Sequence, residues 1–112
     1  MELIIDKAGD VTTIVLKGRI DANVAPEIEQ KLLSLISGGS CKLVADLSEV
    51  WFISSAGLRT LVAALREAKR KQGDLRLAGM QGQVKEVLDL TGLDNIFKIY
   101  ASVEDATRSF SD

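Results

Sequence analysis

The sequence predicts an α/β domain built on a mixed β-sheet. Two β-branched runs come first, separated by a Gly-Asp turn, and behind them apolar stripes at helical spacing alternate with short apolar runs. Glycines close three of those stripes, at Gly38, Gly73 and Gly92. A hairpin followed by alternating helix and strand gives one antiparallel pair and a set of parallel ones.

Leu3 to Ile5 reads as a short first strand and Lys7-Ala8-Gly9-Asp10 as a turn. Val11 to Ile20 is β-branched and partly alternating, which predicts a second strand paired with the first. From Ala25 to Ser37, the positions Ile28, Leu32, Leu35 and Ile36 form one helical stripe. Asn23 or Asp21 caps its approach, Pro26 fits its first turn, and Gly38-Gly39 ends it. Leu43-Val44-Ala45 followed by Asp46 reads as a short central strand. A second helix is expected from about Ala56 to Gln72, with Leu58, Leu61, Val62, Leu65 and Ala68 inward and a basic run near its C-terminus, where the helix dipole favours cations. Leu75 to Ala78 is a further strand. Val84, Val87 and Leu88 mark a third helix, Ile96 to Tyr100 a last strand, and Val103 to Phe110 a terminal helix.

Composition narrows the function. The chain has 112 residues, 46% hydrophobic and 27% charged, which fits one domain over 1–112. A net charge of −2 gives no general electrostatic reason to bind nucleic acid. No apolar stretch is long enough to span a bilayer, and no N-terminal segment has the pattern of a secretory signal, so neither membrane insertion nor secretion is expected. Cys41 is the single cysteine and histidine is absent, which removes an internal disulfide and the common zinc sites and suits a reducing cytoplasm. Cys41 has no histidine to activate it and reads as a cysteine at the edge of the core. No phosphate-binding glycine motif occurs, and no tightly held cofactor is expected.

The most informative stretch runs from Asp46 to Leu58, DLSEVWFISSAGL, between a strand and a helix. Ser54 and Ser55 fall where the second helix begins. A serine there accepts a hydrogen bond from a free first-turn N–H, so capping is the simplest role for either. The same place also suits a phosphate, because unpaired N–H groups and the positive end of the helix dipole stabilise an anion. Gly57 either leaves the first turn open to a partner or packs closely against the sheet. At least one of Trp51 and Phe52 is expected in the core, and an exposed Trp51 is a candidate contact anchor.

This stretch resembles the signature of STAS domains, the family of anti-sigma factor antagonists and of the cytoplasmic ends of sulfate transporters. The matching residues are Asp46-Leu47-Ser48, then Phe52-Ile53-Ser54-Ser55-Ala56-Gly57-Leu58, and earlier Gly18-Arg19-Ile20-Asp21 with Ala25 following. The resemblance covers essentially the whole chain. It implies a STAS-type fold, a mixed four- to five-stranded sheet with about four helices packed mainly on one face.

It also implies a function. The phosphorylated serine of the family is the one that matches Ser55, with Ser54 as a rival. The unmodified domain binds an anti-sigma factor that is a serine kinase, releasing the sigma factor. Phosphorylation ends that binding, and a PP2C-type phosphatase restores it. Asp21 matches a position in the loop facing the kinase, and Asp46 one at the end of a central strand that organises the loop before Ser55. Partner contact is expected from Asp21, Asp46, Ser54, Ser55 and Gly57. This chain carries Ser54 where many phosphorylated members have Asp, and Ala56 where many have Ser or Thr.

Two other readings compete. A hydrolase using Asp21, Asp46 and Ser55 lacks a base to activate the serine, so an enzyme is not expected. A STAS subunit of another bacterial assembly, such as a lipid ABC transport system, shares the fold and is told apart by the genes beside it. A transporter tail would require an excised fragment, and Met1 at a strand start argues against that.

Overall fold

The computed structural model describes residues 2–111. Strand β1 (Glu2–Ala8) and strand β2 (Val11–Ile20) form an antiparallel hairpin, closed by Gly9 at φ +64°. Helix α1 (Ala25–Ser37) leads to strand β3 (Lys42–Ile53), helix α2 (Ser55–Arg70) to strand β4 (Asp74–Ala78), and helix α3 (Gly82–Thr91) to strand β5 (Ile99–Tyr100). A 3₁₀ turn at Leu93–Asn95 precedes β5, and helix α4 (Val103–Ser109) follows it. The five strands lie in sequence order, with β2 to β5 parallel.

That order explains the layering. Each of the three crossovers steps the same way across the sheet, and right-handed connections then place α1, α2 and α3 on one face. The main core joins Ile28, Leu32 and Ile36 of α1, Leu58, Leu61 and Leu65 of α2, and Val84 and Leu88 of α3 to the inward residues of the strands. Leu43, Ala45 and Leu47 of β3 point into it, while Val44 points to the opposite face. There a smaller cluster of Val11, Val44, Ala78 and Ala106 is covered by α4. Arg76 ties α4 down. Its guanidinium lies 3.9 Å from the Phe110 ring, bonds Ser109 Oγ, and pairs with the buried Asp74 at 3.1 Å.

Three sequence expectations change. β5 is only two residues long, because Ile96 and Phe97 still belong to the turn that leaves Leu93–Asn95, with the Ile96 amide donating to the Leu93 carbonyl at 3.1 Å. β3 does not stop at Asp46 but runs to Ile53. Neither Trp51 nor Phe52 enters the core: Trp51 is 61% exposed and Phe52 is half-buried outside both clusters. The last two corrections share one cause. Relative to β2, β3 holds an extra residue between Asp46 and Glu49 and another between Val50 and Phe52. Each β-bulge shifts the side-chain alternation by one. The buried residues therefore recur at Leu47, Val50 and Ile53, a spacing of three rather than two.

The helix ends follow the local chemistry. Asp21, not Asn23, organises the entry to α1: its Oδ1 accepts from the amides of Asn23 (3.0 Å) and Val24 (3.2 Å). At the end of α2, Gln72 takes the left-handed conformation (φ +62°). Gly73 is needed for a different reason, since a Cβ there would overlap the Cys41 carbonyl. Cys41 is half-buried against the main core.

Candidate functional site

The segment that enters α2 is held from both sides. On the β2 side, the Ser54 amide donates to the Ile20 carbonyl at 2.8 Å. On the other side β4 has already ended, since its ladder with β3 stops at the Asp46–Ala78 pair. Gln83, the second residue of α3, takes its place. Its side-chain amide accepts from the Ile53 N–H at 2.9 Å and donates to the Ile53 carbonyl at 3.1 Å. Gln81 donates to the Ser48 carbonyl at 2.9 Å.

The two serines divide the work at the helix start. Ser54 has extended backbone (φ −91°, ψ 173°) and is the N-cap, with its half-buried Oγ accepting from Gly57 N at 3.3 Å. Ser55 is the first helical residue and is exposed to solvent. Gly57 faces the sheet. A Cβ there would lie 2.6 Å from Ile20 Cγ2 and 2.7 Å from Ile53 Cγ1, so close packing accounts for this glycine, which is buried rather than open to a partner.

Asp21 lies at the end of β2, beside the N-cap of α2. Its carboxylate is occupied by the turn before α1. Asp46 is not brought to the site. It sits in mid-strand, and its Oδ1 accepts from Ser48 N at 3.0 Å, supplying a partner at the first bulge. The register puts it five residues along β2 from the pair that holds Ile53, ~16 Å at about 3.3 Å per strand residue. Its organising role therefore concerns a bulge, and the loop expected before Ser55 is strand.

The second bulge shapes the exposed surface. Trp51 is its extra residue, so Trp51 and Phe52 both reach Arg19, whose guanidinium carbon lies 4.9 Å from the first ring centroid and 4.5 Å from the second. These are cation–π distances. Gly18, just before, is at φ +105°, a conformation that favours glycine. An open groove of about 630 Å³ lies between the starts of α1 and α2, lined in part by Ala22, Pro26, Glu29, Arg59 and Ala56, the residue after Ser55. The surface that gathers is thus Arg19, Asp21, Trp51, Phe52, Ser54 and Ser55. Arg19 lies within the GRID motif, whose pattern alone gives it no role, and Gln81 and Gln83 carry no sequence signal beyond polarity.

The profile of the STAS domain matches residues 2–106. The chain belongs to the STAS domain family. BtrV of Bordetella bronchiseptica, named as a candidate anti-sigma factor antagonist, is 31% identical over 98% of this STAS chain and 95% of its own length. A solved anti-sigma factor antagonist from Mycobacterium paratuberculosis superposes with a TM-score of 0.90 at 28% identity, covering 99% of this chain and 94% of that one. The Bacillus cell fate determinant SpoIIAA, solved in its phosphorylated form, superposes with a TM-score of 0.78 over 97% of this chain and 99% of its own. At 19% identity that last likeness is one of fold. The motifs DLS, SSAGL and GRID thus fall on the bulge, the helix start and the end of β2 of a STAS fold.

Proposed function

We propose that this STAS domain is an anti-sigma factor antagonist: it binds an anti-sigma factor that is a serine kinase, frees the sigma factor, and is switched off by phosphorylation of Ser55. One observation carries the choice of residue. Ser54 performs the cap with a half-buried oxygen, while the neighbouring Ser55 is exposed at the first helical position. The relatives named as antagonists support the role.

The chemistry follows from position. A phosphate adds roughly −1.5 to −2 charge at neutral pH and three acceptor oxygens. At Ser55 it meets the free amides of the first turn of α2, where anions are stabilised. Arg59 is exposed one turn further along the same face. The domain therefore stays folded while the charge and bulk of the surface change. A partner seated over Trp51, Arg19 and the helix start is repelled. A PP2C-type phosphatase reverses the change.

The test is intact-mass analysis after incubation with ATP and a candidate anti-sigma kinase, followed by mapping of the modified residue. One phosphate is expected on Ser55, none on Ser55→Ala, and one on Ser54→Ala. The phosphorylated domain should bind the kinase more weakly than the unmodified one, with Ser55→Asp in between. Modification at Ser54, or equal affinities for all forms, rejects the switch.

A further inference from the structure

We propose that Gln83 is a positioning residue for Ser55, a side chain that substitutes for the missing strand beside the end of β3. The inference rests on the reading of Ser55 as the modified residue. Its observation is independent of that reading: after the Asp46–Ala78 pair, β3 continues for seven residues with no β4 beside it. A strand edge leaves backbone N–H and C=O groups without ladder partners. At Ile53 both groups are satisfied by one amide, with bonds of 2.9 and 3.1 Å.

The choice of residue is chemically narrow. A primary amide carries an acceptor and a donor on one planar group, as a neighbouring peptide does. A carboxylate accepts only, and an ammonium donates only. Ile53 is also buried, so water does not readily replace a lost partner. Its backbone leads directly into Ser54 and Ser55, and the other side of that junction is fixed by Ser54 N on the Ile20 carbonyl. Gln83 is itself held by α3, whose Val84 and Leu88 are fully buried in the main core. The start of α2 is thus referenced to two elements, β2 and α3, and Gln83 supplies the second.

This makes Ser55 presentation depend on a residue that is no part of the helix it opens. With the clamp broken, the core retains its contacts, but Ile53 to Ala56 sample a wider range of positions. A kinase that must bring the Ser55 hydroxyl into line then meets a less organised target, and the loss appears in the efficiency of phosphorylation before it appears in the fold.

The experiment compares wild type, Gln83→Met and Gln83→Glu. Gln83→Met keeps most of the volume and removes both bonds. Gln83→Glu restores an acceptor and a donor together only when its carboxyl is protonated. Amide hydrogen exchange by NMR should show Ile53 and Ser54 exchanging about ten-fold faster or more in Gln83→Met. Amides at the centre of β2, by contrast, should change by the ratio set by global stability alone. In Gln83→Glu the protection at Ile53, corrected for intrinsic exchange, should be near wild type at acid pH and fall as the carboxyl ionises, a profile that simple loss of packing does not give. With the kinase that modifies the wild-type domain, kcat/KM for Ser55 should fall in Gln83→Met at a temperature where it is fully folded. Unchanged exchange at Ile53 overturns the clamp. Lost protection with wild-type kcat/KM overturns the positioning role. A wild-type domain that no candidate kinase modifies at Ser55, with the exchange pattern as expected, overturns the reading of Ser55 and the positioning role that depends on it.

Discussion

The two halves of β3 are built differently. From Lys42 to Asp46 the strand is paired on both edges, with β2 and with β4, and Leu43, Val44 and Ala45 are buried. From Leu47 to Ile53 it is paired on one edge only, carries two bulged residues relative to β2, and alternates poorly. The first half is scaffold. The second shows Trp51 and Phe52 to the outside and delivers Ser54 and Ser55 to the start of a helix. The difference teaches where a sheet can host a site: at the point where one ladder ends and side chains, here of Gln81 and Gln83, take over the backbone hydrogen bonds.

Five substitutions break or sharpen this contrast. The largest effect belongs to the scaffold half. Leu43 is fully buried, and Leu43→Ala should cost about 2–5 kcal/mol, read as a fall in the urea midpoint. Next is Gly57→Ala at the junction of the halves. The new methyl meets Ile20 and Ile53 side chains at 2.6 and 2.7 Å, so overpacking should cost about 1–3 kcal/mol in the same assay. Third, the two serines should separate: Ser54→Ala loses the cap and about 0.5–2 kcal/mol, whereas Ser55→Ala should stay close to wild type in thermal unfolding. Equal losses at both positions would erase the division of labour. Smallest in stability is Trp51→Ala, expected within about 0.5 kcal/mol of wild type because the ring is exposed, yet weakening kinase binding by about 2 kcal/mol in calorimetry if the ring is an anchor.

A pH measurement addresses the first residue of the scaffold half. The hydrogen bond and charge of Lys42 hold the Asp10 carboxyl below the usual carboxylate range, at 2.8 Å. The folded-state value is the depressed one. Its stabilising contribution is therefore present above the ordinary carboxylate value and is lost as pH falls through the depressed one. Both groups are exposed, so the effect is small and screened by salt. In Lys42→Gln, the Asp10 carboxyl should titrate at higher pH than in wild type in an NMR carboxyl titration.

Much of the fold was legible because its signals are local. The Val11–Ile20 strand and the Ala25–Ser37 helix fall where their periodicity puts them, the first opened by the turn at Gly9 and the second ended at Gly38. The second half of β3 was not legible as strand. Two bulges turn a spacing of two into one of three, and Ser48-Glu49-Val50-Trp51-Phe52 then resembles a loop. The same shift hid the outward direction of both aromatics. Of the expected contact residues, Asp21, Ser54 and Ser55 gather at one end of the sheet. Asp46 serves a bulge, and Gly57 serves packing against Ile20. Gln83 was invisible for another reason: its partner is thirty positions earlier, and one glutamine at a helix start carries no periodic signal.

The bulge that turns Trp51 outward also equips the molecule with a built-in optical reporter. Trp51 is the sole indole of the chain, so its emission comes from one place, four residues ahead of Ser55 and beneath the Arg19 cation. Light from it will register whatever covers or uncovers that corner of the sheet, with no dye attached and no background from the interior.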